Sequence, residues 1–102
     1  MPLSKGQRES RKQENDLALA TGGRVTPASG AFWNNKGDIR SRLDLIEAKW
    51  TGKKQYTIKS AELKKIHREA ILDGRVPVLA FRLEEEDYVI LSLHDFLAMR
   101  DG

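Results

Sequence analysis

Asp38, Glu47 and Lys49 are the residues whose types and spacing could do chemistry in this chain. Glu47 and Lys49 stand two apart in the run Leu43-Asp44-Leu45-Ile46-Glu47-Ala48-Lys49-Trp50. A strand sends residues two apart to one face, so Glu47 and Lys49 project together while Ile46, Ala48 and Trp50 project to the other side. Asp44 shares the parity of Ile46 and faces away from Glu47. Gly37-Asp38 lies upstream across a short hairpin, where Asp38 can reach the face of Glu47. Two carboxylates from adjacent strands can hold one Mg2+, with the Ala48 carbonyl as a third oxygen and the other positions open to water and a phosphate oxygen. Such an ion acidifies water and offsets charge developing at phosphorus, and a lysine beside it can orient the attacking water or stabilise the transition state. That chemistry is phosphodiester hydrolysis. An E-x-K triplet alone is usually a solvated strand edge; the upstream Gly-Asp, the apolar strand and the basic surroundings set this one apart.

The elements that must position these residues follow from periodicity and punctuation. Residues 1–6 read as a flexible N-terminus and residues 7–102 as one domain. Gln7 to Ala20 favours helix and Gly22-Gly23 ends it. Arg24 to Thr26 is a short extended piece stopped by Pro27, and 28–37 is loop by composition. Asp38 to Arg40 and Leu43 to Trp50 form a hairpin around Ser41-Arg42. Thr51 to Lys54 is a basic turn, and Gln55 to Ile58 a short extended segment. Ser60 is the expected N-cap of a helix with Leu63, Ile66, Ala70 and Ile71 on its apolar stripe and Gly74 past its end. Val76 to Arg82 and Tyr88 to Leu91 are strands bridged by the acidic turn Glu84 to Asp87. Ser92 and Asp95 resemble a capping box opening a last helix, Leu93 to Met99. The order α-β-β-β-α-β-β-α implies an α/β domain with one central mixed sheet flanked by helices.

The 102 residues suffice for one domain, with 39 % hydrophobic and 32 % charged residues. No apolar run approaches the roughly 18 residues of a membrane span, and Met1 to Lys12 lacks the apolar core of a secretory signal. Cysteine is absent, which excludes a disulfide framework, a thiol nucleophile, a zinc finger and an iron–sulfur site. His67 and His94 are too few for a histidine-built centre and read as surface or packing residues. Any metal must therefore be a hard cation on carboxylates. Residues 1–60 carry 12 Lys/Arg against 6 Asp/Glu, and residues 61–102 carry 6 against 9. A basic front half points to a polyanionic partner, nucleic acid foremost.

GGRVTPASGA at 22–31, then KGDI at 36–39, then LDLIEAKWT at 43–51 resembles the PD-(D/E)XK nuclease superfamily. Within it the series is most similar to the Holliday-junction resolvases, especially their small archaeal and phage-type members. The likeness runs over about residues 7–82 and includes Arg75-Val76-Pro77-Val78-Leu79-Ala80-Phe81. It implies a restriction-endonuclease-like core, with Asp38 and Glu47 as metal ligands and Lys49 as the catalytic lysine. It makes Glu14 the helix glutamate that supports the hydrated ion, with Glu9 as runner-up, and sets Arg24 and Ser29 toward DNA phosphates. Gly37 stands where the superfamily motif has proline, a frequent exchange in this branch. The resemblance further implies a Mg2+-dependent endonuclease, with Mn2+ able to substitute, that leaves 5′-phosphate and 3′-hydroxyl ends. A homodimer is implied too, because resolving a four-way junction takes two symmetric nicks, as is the cytoplasm of a bacterial, archaeal or phage-infected cell.

Lys36, Arg40, Arg42, Lys53 and Lys54 cluster in sequence around the triplet and are candidates for phosphate contact. Phe32-Trp33 could stack on an unpaired base, pack across a dimer or cover the core. The run Glu84 to Asp87 reads as a solvated hairpin tip rather than a metal site. Three other function classes fit the residues: a nuclease of the same fold with another DNA substrate, a non-catalytic DNA-binding module, and a protein-interaction domain using the Lys64-Lys65-Arg68 face.

Overall fold

A computed structural model describes residues 2–26 and 39–102 of the chain. Helix α1 (Lys5–Thr21) precedes β1 (Arg24–Val25), β2 (Ile39–Arg40) and β3 (Asp44–Trp50); α2 (Ser60–Leu72), β4 (Val76–Leu83), β5 (Glu86–Ile90) and α3 (Leu93–Asp101) follow. The element order is the expected one. The five strands form one mixed sheet in the order β1-β2-β3-β4-β5. β3 and β4 run parallel, and the other neighbours are antiparallel. A parallel pair needs a crossover, which α2 supplies. No helix among the described residues is long and apolar enough to cross a membrane.

Strand parity divides the sheet into two faces. Val25, Ile39, Ile46, Ala48, Val78 and Ala80 meet Leu17 and Ala18 of α1 in the core, so α1 covers that face. Trp50 and Arg82 belong to it as well, lying against Gly6 and Asp16 of α1. The other face carries Leu45, Glu47 and Lys49 of β3 in register with Pro77, Leu79 and Phe81 of β4. Helix α2, with Ile66 and Ala70 buried, packs over its Leu45–Leu79 part. The Lys49 and Phe81 end of that face is half open.

Several boundaries differ from expectation. Helix α1 begins at Lys5 rather than Gln7, because Ser4 and Gln7 form a capping box that satisfies free N–H groups at the start. It ends where expected, at Gly22, which takes the left-handed φ of 70° that glycine adopts without penalty. Gly23 lies so close to β2 that a Cβ there would stand 2.8 Å from the Arg40 carbonyl oxygen. The segment 55–58 carries no strand. Ser60 is already helical; the N-cap is Lys59, with no side-chain cap bond. Ile71, placed by its spacing on the apolar stripe of α2, is 60 % exposed. Strand β5 starts at Glu86, two residues before Tyr88, because the turn is only Glu84-Glu85, both at positive φ. Arg82 helps seat this hairpin by binding Asp87 with two hydrogen bonds at 2.8 and 2.6 Å. Asp38, the expected start of β2, lies outside the described residues, as do Ser29, Phe32, Trp33 and Lys36.

Candidate metal and phosphate site

β3 sits at the centre of the sheet, paired to β4 along its whole length and to β2 at Leu45 and Ile46, with α1 and α2 on its faces. Glu47 and Lys49 leave from the same face, and the Lys49 ammonium stands 3.4 Å from Glu47 Oε1. Both are partly exposed, at 17 % for the Glu47 side chain and 31 % for Lys49. The Lys49 backbone is anchored from the opposite side, where buried Gln13 of α1 donates from Nε2 to the Lys49 carbonyl at 2.9 Å. Removing that donor leaves the carbonyl short of a partner, so Gln13→Ala should cost about 1–3 kcal/mol of stability. Chemical denaturation would read this as a lower midpoint, and an unchanged midpoint would show that Gln13 anchors nothing.

Asp44, as its parity implies, takes no part in this pair. It caps the β2–β3 turn, accepting from Ser41 Oγ at 3.1 Å, while Ser41 Oγ accepts from the Asp44 and Leu43 amides. Ala48 sends its side chain into the α1 core, so it could serve an ion only through its carbonyl. Ile39 pairs with Ile46; Asp38 precedes Ile39 in the chain and Glu47 follows Ile46.

Glu14 is buried on α1, the helix that covers the Ile46–Ala48 face. Its neighbour Gln13 is the residue that reaches the Lys49 carbonyl. Glu9 is partly exposed on the same helix. Arg24 pairs in register with Arg40, and Arg40 with Leu45, which puts both arginines on the face of Glu47. Arg40 is engaged there: its Nε donates to Asp73 at 2.9 Å. The hydrogen bond from Arg40 holds the Asp73 carboxyl below its ordinary pKa against the opposing effect of desolvation, and Arg75 lowers it further. Arg24 and Arg42 are exposed, as are Lys53 and Lys54 in the turn beyond Trp50. Lys54 makes a loose, exposed pair with Glu84 at 3.8 Å, worth little in water. His67 and His94 are exposed and stand apart from the site, on α2 and α3.

Two residues of the site give no sequence signal. Tyr56, between β3 and α2, donates its hydroxyl to Glu62 in a short hydrogen bond. The pKa of the phenol is pushed far up, first by burial, then by that bond and the Glu62 charge, and also by the charge of Glu47. The Tyr56 ring stacks on Phe81, which stands in register with Lys49, so Tyr56 lies on the face of Glu47 and Lys49. Glu62 in isolation reads only as an acidic residue suited to the first turn of a helix.

The donors suit a hard cation. Glu47 offers carboxylate oxygens, and the ammonium beside it shows that a positive group can reach them. Among the described residues no three His, Cys, Asp or Glu side chains converge as a metal site, and Asp38 lies outside those residues. No family model, curated protein or solved structure matches the chain.

Proposed function

We propose that the chain is a Mg2+-dependent endonuclease of restriction-endonuclease-like fold that hydrolyses phosphodiester bonds in branched DNA, four-way junctions first. The observation that carries this reading is the Glu47–Lys49 pair, side by side on one face of a central strand at 3.4 Å. Glu47 and Asp38 would hold the ion, with the Ala48 carbonyl as a third oxygen. When bound, a hard divalent ion supplies charge neutralisation at the scissile phosphate and makes water a better nucleophile.

The other roles belong to side chains. Lys49 points three N–H donors at the space in front of Glu47, where they can stabilise charge on a phosphate oxygen. Arg24, on the same face, holds a neighbouring phosphate, and Arg42, Lys53 and Lys54 extend the contact, with Ser29 and Lys36 as further candidates. Arg40 is left out of this set because Asp73 engages its guanidinium. Glu14, buried on α1, would support the hydrated ion as the helix glutamate. Contacts of this kind read backbone geometry rather than bases. A two-fold dimer would supply two sites for two opposed strands. Exposed Leu93, Phe96 and Leu97 on α3 give such a dimer apolar surface to cover.

The test is cleavage of a four-way junction, a flap, a single strand and a linear duplex at equal concentration in Mg2+. The junction should be cut far faster than the linear duplex, with paired nicks in opposed strands. Equal cutting of linear duplex would defeat the branched-DNA reading in favour of a repair, nicking or restriction-type nuclease. Binding with no cutting of any substrate would favour a non-catalytic DNA-binding module.

A further inference from the structure

The two edges of the sheet are built differently. β1 is two residues long, and Pro27 follows it closely in the chain. A short edge beside a proline offers little for another strand to pair with. β5 is five residues long, contains neither proline nor lysine, and among the described residues pairs only with β4. Its outer N–H and C=O groups are left to solvent or to a further strand. Tyr88 and Val89, on its two faces, are 49 % and 55 % exposed. A row of rings leads to the same edge. Tyr56 stacks on Phe81 with centroids 5.4 Å apart, and Phe81 on Tyr88 at 5.6 Å. The row is anchored at one end by the hydrogen bond from Tyr56 to Glu62. At the other end Tyr88 stands on the edge strand.

The chemistry of this edge narrows its occupant. Glu84, Glu85 and Glu86 stand where β5 begins and repel phosphates, so nucleic acid is the wrong partner for it. Asp87 is already neutralised by Arg82. A second copy in antiparallel register about Tyr88 sets Glu86 opposite the partner's Ile90 and Asp87 opposite the partner's Val89. No acid then faces an acid, and Tyr88 meets the partner's Tyr88. Residues directly opposed in such a pair have Cβ atoms about 5 Å apart, close to the spacing of the rings already in the row.

We infer that two copies of this chain pair edge to edge through antiparallel β5 strands, with Tyr88 at the two-fold axis, joining two five-stranded sheets into one. The pairing does not rest on the nuclease reading. Its axis stands normal to the sheet, so the Glu47–Lys49 faces of both copies look the same way. Five strand spacings separate one β3 from the other, about 24 Å. Two sites so placed would suit paired nicks in opposed strands. Helix α3 has no buried residue, and the pairing brings the partner's β4–β5 turn beside its start.

The experiment is light scattering on the full chain after size separation, over a series of concentrations and without DNA. Wild type should dimerise with a Kd on the order of 10 µM or tighter, as befits a small interface. Tyr88→Lys removes a ring from the centre of the interface and opposes two like charges, which should weaken dimerisation about tenfold or more. Tyr88→Glu should do the same. A mixture of these two variants should dimerise where neither does alone, because position 88 then sets opposite charges against each other. The chain has no cysteine, so Tyr88→Cys should oxidise to a linked dimer. Leu72→Cys, on α2 and 90 % exposed at that position, should not. Thermal midpoints check that each variant keeps the fold. A wild type that stays monomeric, or Tyr88→Lys that dimerises as wild type does, would overturn the inference. So would folded lysine and glutamate variants whose mixture stays monomeric. A Tyr88-dependent dimer that cuts no DNA upholds the pairing and removes the nuclease reading; a monomer that cuts DNA does the reverse.

Discussion

Glu47→Gln should abolish Mg2+-dependent cleavage while leaving junction binding as tight as wild type or tighter. Glutamine matches glutamate in shape, so the half-buried strand position is kept. What it loses is the negative charge that holds the cation. Charge stabilisation by a bound metal is worth several kcal/mol, and a loss of that size slows single-turnover cleavage on the order of 1000-fold or more. Binding responds in the other direction because a carboxylate beside phosphate repels it. The broken ion pair with Lys49, partly exposed at 3.4 Å, costs little stability. Asp38→Asn should behave in the same way. Rates with enzyme in excess, set beside fluorescence anisotropy titrations of a labelled junction, would show both halves. Weakened binding in both variants would count against a metal held by these two carboxylates.

Lys49→Ala should lower the single-turnover rate about 100- to 1000-fold, the scale of removing one preorganised electrostatic donor. The backbone at Lys49 should not move, because Gln13 holds its carbonyl from the α1 side at 2.9 Å and both neighbours on the strand are paired to β4. The loss should therefore fall on the rate at saturating enzyme more than on junction affinity, where Lys49 counts as one cation among several. Lys49→Arg would keep the charge but exchange a compact ammonium for a planar fork and should recover only part of the rate. A rate for Lys49→Ala within a few-fold of wild type would remove Lys49 from the chemistry.

Much of the site was legible because strand parity is a strict code. One apolar run with Glu47 and Lys49 two apart was enough to put both on one face and Ile46 and Ala48 in the core. Helix stops were legible where glycine marked them, as at Gly22. Helix α1 began early because a serine and a glutamine three residues apart closed a box that the composition of residues 1–6 had masked. The start of β5 was hidden in a run of four acids. Only the positive φ of Glu84 and Glu85, and the grip of Arg82 on Asp87, show that the chain has already turned back by Glu86.

The face that a helix covers cannot be read from its own spacing. Helix α1 lies on the side of Ile46 and Ala48, a placement that the spacing of its own residues does not give. Tyr56 and Glu62 were out of reach for a different reason. Their meeting depends on rings from two other strands, Phe81 and Tyr88, that no local pattern connects to them.

The central claim is that this chain hydrolyses branched DNA with a divalent ion held at Glu47. Its most direct test is the fate of a labelled four-way junction incubated with wild-type protein in Mg2+ and, separately, in EDTA. The result expected is symmetric strand cuts with 5′-phosphate ends in Mg2+ and an intact junction in EDTA. An intact junction in both, with Mn2+ in place of Mg2+ doing no better, would contradict it.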